Sequence, residues 1–263
     1  MELAGRVALV TGSSRGIGRA IALGLAEDGA DVVVNYRKEA HAAAEVVAAI
    51  EGLGRRAVAI GASVDDFEEC RRLVAEAVEA MGQLDIVVCN AGIASRGRAV
   101  VDSDPAEVGR VVATHAFSAW YVCHEAVPHL RQRPRGDIVM ISSVASMSNG
   151  ANGTPYNMAK AALESLAFTL AKEERPHGIH VNVAAPGLVE TEMGRRLARA
   201  VAGVTDLRQI DEVMPFGRVC QPSDVADVVR FFCSGKASYL TGERLYVWGG
   251  GQDWRDASEA ARE

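Results

Sequence analysis

Two side chains four residues apart, Tyr156 and Lys160, follow a pair of adjacent hydroxyls, Ser142 and Ser143. On a helix, that i, i+4 spacing places the phenol and the amine on one face. A free phenol titrates near ~10, too high to exchange protons readily at neutral pH, and a neighbouring ammonium favours the phenolate and lowers that value. Such a phenol can donate a proton to a carbonyl oxygen or remove one from an alcohol. A serine hydroxyl beside it would stabilise charge developing on the same oxygen. Neither serine reads as a nucleophile, because no G-x-S-x-G turn surrounds them and no histidine follows in triad order. A Y-x-x-x-K alone is a common helix pair, so its meaning depends on its surroundings.

A second group opens the chain, Thr11-Gly12-Ser13-Ser14-Arg15-Gly16-Ile17-Gly18, directly after the apolar run Val7 to Val10. Glycines there let the backbone approach a pyrophosphate, and the helix that follows offers N–H groups and its positive dipole end. The turn is not a phosphate loop of the G-x-x-x-x-G-K-[ST] kind, because no Lys-Ser/Thr pair follows the last glycine. About 20 residues further on, a carboxylate would select NAD by accepting from the ribose 2′-OH. That location carries Asn35, Tyr36 and Arg37 instead. With no carboxylate to repel a 2′-phosphate, and with Arg15 and Arg37 able to pair with one, the sequence favours NADP(H) over NAD(H).

The elements that must hold these residues alternate along the chain. Apolar runs at Val7 to Val10, Asp31 to Tyr36, Ala57 to Ile60, Leu84 to Cys89, Asp137 to Ile141, His180 to Ala184 and Arg244 to Val247 read as strands. Helical stretches lie between them: Ile17 to Glu27, Ala40 to Leu53, Phe67 to Met81, Pro105 to Leu130 and Tyr156 to Arg175. Strands this apolar are buried on both faces, which predicts an α/β fold of Rossmann type, a doubly wound seven-stranded parallel sheet with helices on both sides. No linker or repeat divides the 263 residues, so a single domain, 1–263, is expected. The least regular stretch, 188–217, is either a lid over a pocket or an ordinary surface helical pair.

Composition narrows the function classes. Hydrophobic residues are 49% and charged residues 24%, as in ordinary globular proteins. A net charge of −6 supplies no broad positive field for nucleic acid. The five cysteines stand singly, and no metal-ligand spacing occurs among them or the six histidines, so neither a disulfide framework nor a metal site is expected. The start MELAGRVALVTG lacks the features of a signal peptide and no run is long enough to span a membrane, so the expected compartment is the cytoplasm.

Taken together, TGSSRGIG at 11–18, CNAG at 89–92, the Ser143/Tyr156/Lys160 trio, VNVAAPGLVET at 181–191 and YLTGERLYVWGG at 239–250 resemble the short-chain dehydrogenase/reductase family. Within it, the chain is similar to 3-oxoacyl-[acyl-carrier-protein] reductase-like members, to about Gly251. The resemblance selects Ser143 over Ser142 as the oxygen-stabilising hydroxyl, with Tyr156 as the general acid/base, Lys160 also holding the nicotinamide ribose, and the cofactor as hydride carrier. It places the cofactor against Gly12, Ser14, Arg15, Gly16, Ile17, Gly18, Asn35, Tyr36, Arg37, Ser63, Val64, Asn90, Ala91, Gly92, Tyr156, Lys160, Pro186, Gly187, Val189 and Thr191. It implies NADP(H)-dependent interconversion of a ketone or 3-oxo group and a secondary alcohol in a homotetramer. One interface would use the helices bearing His115 and Tyr156, the other the last helix and strand. Val108, Val111, Val112, Phe117, Trp120, Tyr121 and Val122 are enough to bury more than one face of the first of these helices.

Three positions depart from the family pattern. His115 stands where most members carry an Asn supporting a water chain to the lysine. It either continues that relay or only packs under the site, and His115→Asn is expected to retain activity. Ser63 replaces an Asp that touches adenine, and Cys89 replaces the first Asn of N-N-A-G. A carrier-bound substrate would call for a basic rim, for which Arg131, Arg133, Arg135 and His177 are candidates, although solvated loop arginines read equally well. Trp254 in the tail 252–263 either packs on a neighbouring subunit or belongs to a frayed end. The substrate is thus a carrier-bound 3-oxoacyl group or a free polyol, steroid or other cyclic alcohol. A non-catalytic NADP-binding redox sensor or scaffold is the alternative outside enzymes, and it would not need all three of Ser143, Tyr156 and Lys160.

Overall fold

The seven apolar runs pair into one parallel sheet in the computed structural model, which describes residues 1–251. The strands are β1 (Val7–Val10), β2 (Asp31–Tyr36), β3 (Ala57–Gly61), β4 (Ile86–Cys89), β5 (Gly136–Ile141), β6 (Ile179–Pro186) and β7 (Arg244–Val247), in the order β3-β2-β1-β4-β5-β6-β7. The helices are α1 (Gly16–Glu27), α2 (Ala40–Gly52), α3 (Phe67–Met81), α4 (Pro105–Val112), α5 (Ser118–Leu130), α6 (Ala145–Ser148), α7 (Thr154–Glu174), α8 (Glu192–Ala202) and α9 (Pro222–Cys233). The expected Rossmann-type architecture is therefore present. Trp254 lies outside the described residues.

Strand side chains alternate between faces, and the core divides accordingly. Val7, Leu9, Val87, Ile138, Met140, Val181 and Val183 pack with α3, α5 and α7. Ala8, Val10, Val32, Val34, Ile86, Val88, Val139 and Ile141 pack with α1, α2 and α9. Strand order reverses between β1 and β4, which opens a crevice at their carboxyl ends. Residues 188–217 carry α8 and short 3₁₀ turns, and Leu188, Ala198, Val204, Leu207, Ile210 and Met214 form a third small apolar cluster there with Val219 just beyond.

One helix differs from its sequence reading. Pro105 to Leu130 is interrupted by a π turn, Ala113–Phe117, between α4 and α5. Two hydroxyls bond carbonyls across this region, Thr114 to Arg110 (2.8 Å) and Ser118 to Thr114 (2.6 Å). They supply partners where the wider turn loosens the i to i−4 ladder, and the extra residue changes which side chains face inward. His115 is one that does.

The arginines considered as a rim for an acidic partner do not lie beside the crevice. Arg131 pairs with Glu174 (2.6 Å), Arg133 with Asp85 (2.8 Å) and Arg135 with Asp137 (2.8 Å). Asp85 and Asp137 stand where β4 and β5 begin, and His177 precedes β6, so the whole group occupies the amino edge of the sheet. The carboxylates are the physical reason. Asp137 is 1% exposed and accepts from Arg6 as well (2.6 Å), while Asp85 also accepts the Val7 N–H (2.8 Å). Burial pushes the Asp137 carboxyl up, and the Arg135 and Arg6 guanidiniums oppose that push.

Removing the carboxylate would leave two guanidiniums without their buried partner. Asp137→Ala is expected to destabilise the fold by about 3–5 kcal/mol in urea denaturation while leaving turnover per folded molecule unchanged. A loss under about 1 kcal/mol would show that the cluster is only a solvated charge group.

Candidate active site

Hydrogen bonds between two turns hold the crevice floor. The Thr11 hydroxyl accepts the N–H groups of Asn90 (2.9 Å) and Ala91 (3.0 Å). The Asn90 side chain returns the bond to the carbonyls of Thr11 (2.9 Å) and Gly12 (3.1 Å). Gly18 must stay bare, because a Cβ there would sit 2.5 Å from both Asn90 Nδ2 and the Gly12 carbonyl. Gly12 adopts φ +61° and Gly16 φ +57°, a region that glycine enters without strain. Thr191 faces Gly16 across the crevice, with its Cγ2 3.5 Å from where a Cβ would project. This glycine cradle at the start of a twelve-residue helix with no acidic side chain in its first turn fits a pyrophosphate.

The residues expected at the adenosine end divide into two roles. Asn35 is buried and braces the turn: its Oδ1 accepts the Gly12 N–H (3.1 Å), and its Nδ2 donates to the carbonyls of Ile60 (3.3 Å) and Ala62 (3.2 Å). Tyr36 is half-buried over Gly61, while Arg37 is exposed and makes no ion pair among the described residues. Arg15 is already engaged, pairing with Glu192 at the start of α8 (2.9 Å). Ser63 donates to Asp65 (2.5 Å), next to the buried Val64. On the far side, the Pro186 carbonyl accepts the Val144 N–H (3.0 Å), the Gly187 N–H donates to Val247 (3.1 Å), and Val189 bridges to Cys220.

Ser143, Tyr156, Lys160 and His115 are brought together where β5 meets α7. The adjacent serines separate cleanly. Ser142 is 2% exposed and its hydroxyl donates to Glu164 (2.6 Å), whereas the Ser143 hydroxyl accepts the Ala145 N–H (3.2 Å) and is close enough to the Tyr156 phenol to lower its proton affinity. Lys160 is 3% exposed, and its Nζ donates to the Ile141 carbonyl (2.6 Å) and lies 5.5 Å from the Tyr156 ring centroid. Desolvation of the Tyr156 phenol opposes the acidification that a neighbouring ammonium would bring. Burial pushes the phenol up to about 12, against a smaller lowering by Ser143. The amine is itself desolvated and pushed down to about 7, with Glu164 opposing the shift.

The His115 ring stands edge-on to that of Tyr156, with centroids 5.1 Å apart. Its Nε2 meets both the N–H (3.1 Å) and the carbonyl (2.8 Å) of Ile93, and its buried Nδ1 has no partner. A Cβ on Gly92 would collide with the ring, so the glycine makes room for it. Burial, then the Lys160 charge, push His115 down to about 3. The imidazole is therefore neutral at physiological pH. Glu164 and Glu192 belong to this site although the sequence reading passed over them, and Thr11, read only as the first residue of the glycine turn, braces it. The signals were there: Thr11 precedes the glycine turn, and Glu164 follows Lys160 by four residues.

Comparison with known proteins gives a consistent picture. A family profile described as enoyl-(acyl carrier protein) reductase matches residues 12–252. The chain is 40% identical to a versicolorin reductase of Emericella nidulans, over 95% of this chain and 96% of the relative. It is 35% identical to a 3-oxoacyl-[acyl-carrier-protein] reductase of Staphylococcus aureus, over 92% and 96%. A short-chain dehydrogenase from Burkholderia cenocepacia, solved in complex with NADP, matches with a TM-score of 0.85 and 36% identity, covering 95% of this chain and 98% of that one. No described helix is long and apolar enough to cross a membrane.

The depressed His115 value has a thermodynamic consequence. The unfolded imidazole binds a proton near 6.5 and the folded one near 3, so the stability His115 confers is present above pH 6.5 and is lost as pH falls toward 3. Relative to His115→Asn, the protein is expected to lose about 2 kcal/mol between pH 7 and pH 5 in denaturant titrations. Parallel stability curves for the two proteins would refute the assignment.

Proposed function

Because the chain belongs to the short-chain dehydrogenase/reductase family, a family of oxidoreductases acting on carbonyl and alcohol groups, we propose that it reduces a ketone or 3-oxo group to a secondary alcohol with NADP(H). The observation that carries this reading is the convergence of Ser143 and Tyr156 with a buried Lys160, whose amine lies 5.5 Å from the phenol ring centroid, at the carboxyl edge of β5. The glycine cradle of Gly12, Gly16 and Gly18, with Asn90, Gly92 and Thr191 around it, would hold the cofactor. When bound, the dihydronicotinamide supplies the hydride.

The chain's own groups manage the proton and the charge. The Ser143 hydroxyl donates to the substrate oxygen and stabilises the negative charge that collects there. Tyr156 remains fully protonated at neutral pH and gives its phenolic proton to that oxygen. Lys160 provides a positive charge on the floor, and neutral His115 fixes the loop at Ile93 beside the phenol. Asn35 acts as a brace for the cradle.

Two finer readings are part of the proposal. NADP(H) is favoured because exposed Arg37 follows β2 where no carboxylate stands, and the Burkholderia structure contains NADP. The clustered side chains of 188–217 suit a lid, whose base is tied to the glycine turn by Arg15 and Glu192. The 3-oxoacyl substrate draws on the Staphylococcus relative, and a polycyclic one on the Emericella reductase. A homotetramer is proposed as well, since Phe117 (51% exposed) at the end of the π turn and Trp120 (47%) in α5 leave an exposed aromatic face.

Tyr156→Phe should lower NADPH-dependent reduction of an acetoacetyl thioester or a bicyclic ketone about 10²–10⁴-fold while NADPH binding persists. A wild-type protein that binds NADPH tightly yet turns over neither carbonyl class would instead be a binding module. Arg37→Asp should weaken NADPH binding about tenfold or more and spare NADH. Equal effects on both cofactors would remove Arg37 from their discrimination.

A further inference from the structure

Glu164 sits one helical turn beyond Lys160 on α7 and is only 5% exposed. A carboxylate this deep needs partners. Its Oε1 accepts from the hydroxyls of Ser142 (2.6 Å) and Ser146 (2.7 Å), and its Oε2 accepts from Arg244 Nη1 (2.5 Å). Ser142 and Ser146 flank Ser143, and the single Ser146 hydroxyl proton is shared between Glu164 and the Ser143 carbonyl, 2.9 Å away. One carboxylate thus grips both sides of the turn that presents the Ser143 hydroxyl to Tyr156. Arg244 is held in turn against the Tyr246 ring, 4.7 Å from its centroid.

The charges around Lys160 give the same carboxylate a second role. From α7 come Tyr156 and Glu164, from the π turn His115, from the end of β5 the uncharged Ser142, Ser143 and Ile141 carbonyl, and from β7, behind Glu164, Arg244. Tyr156 is protonated and His115 neutral at pH 7. Glu164 is then the anion that opposes the burial of the ammonium. We propose that Glu164 is a positioning residue of the reductive site, holding the Ser143 turn through the two flanking hydroxyls and supplying the counter-charge of Lys160, with Arg244 moderating how much of that charge the lysine feels. The catalytic half of this inference rests on the function proposed above, whereas the electrostatic half does not.

The chain has only four lysines, Lys38, Lys160, Lys172 and Lys236, which makes their titration separable by peptide. Competitive acetylation with trace acetic anhydride, read by mass spectrometry across pH, reports each amine without turnover. In Glu164→Gln the Lys160 midpoint should fall by about one pH unit, a tenfold change in proton affinity, while the other three stay put. In a Ser142→Ala/Ser146→Ala double variant the midpoint should stay, but kcat for ketone reduction should drop about tenfold with KM little changed. An unmoved Lys160 midpoint in Glu164→Gln, or wild-type kcat in the serine variant, overturns the proposal. Should Glu164→Gln fail to fold, Arg244→Gln carries the test, and the midpoint must then move upward, so that an unmoved one overturns it. If the wild type reduces no carbonyl, the function falls, yet the labelling still decides whether Glu164 governs Lys160.

Discussion

The Lys160 ammonium, 3% exposed, donates to the last carbonyl of β5 while its neighbour one turn on, Glu164, is just as deeply enclosed. Burying an amine penalises its charged form, and burying a carboxylate penalises its own. The two penalties are offset only because α7 lies against the carboxyl ends of β5 and β6, where carbonyls, serine hydroxyls and Arg244 can meet them. This arrangement decides which of two adjacent serines faces the phenol and where the lysine is anchored. It also places the amine near neutrality, pushed down to about 7, so that modest electrostatic changes nearby shift its charge.

Opposite edges of the sheet carry opposite kinds of polar structure. At the amino edge, Asp85 and Asp137 are almost wholly buried and bound by arginines in tight pairs, which leaves little capacity for a partner. At the carboxyl edge, polar groups are held less completely: the His115 Nδ1 has no partner and Arg37 lies in solvent. Incomplete satisfaction of buried polar atoms raises the energy of a fold, and it persists where other contacts outweigh it. The Thr11–Asn90 bonds and the β1–β4 pairing supply such contacts beneath the cradle.

The route from sequence to architecture was direct because strand and helix periods are local. Val7 to Val10 and Phe67 to Met81 appear with the very bounds their apolar patterns indicate, and the alternation of runs implied a parallel sheet. The π turn was invisible, since a single extra residue barely disturbs a helical pattern over 26 positions yet turns His115 toward Ile93. The arginine cluster misled for a related reason. Charge type can be read along a chain, but the carboxylates that neutralise Arg131, Arg133 and Arg135 come from Glu174, Asp85 and Asp137, two of them on other elements.

By itself, the sequence determined the fold class, the glycine turn and the family, because periodicity, backbone permissiveness and residue spacing are written into consecutive positions. Tertiary structure alone decided the electrical state of the candidate site. Proton affinity depends on desolvation and on charges within a few ångströms, and those neighbours arrive from β5, β7, α7 and the π turn only once the chain is folded. Burial pushes the Tyr156 phenol up to about 12, and a glutamate that drew no notice in the primary structure is enclosed one helical turn from the buried amine.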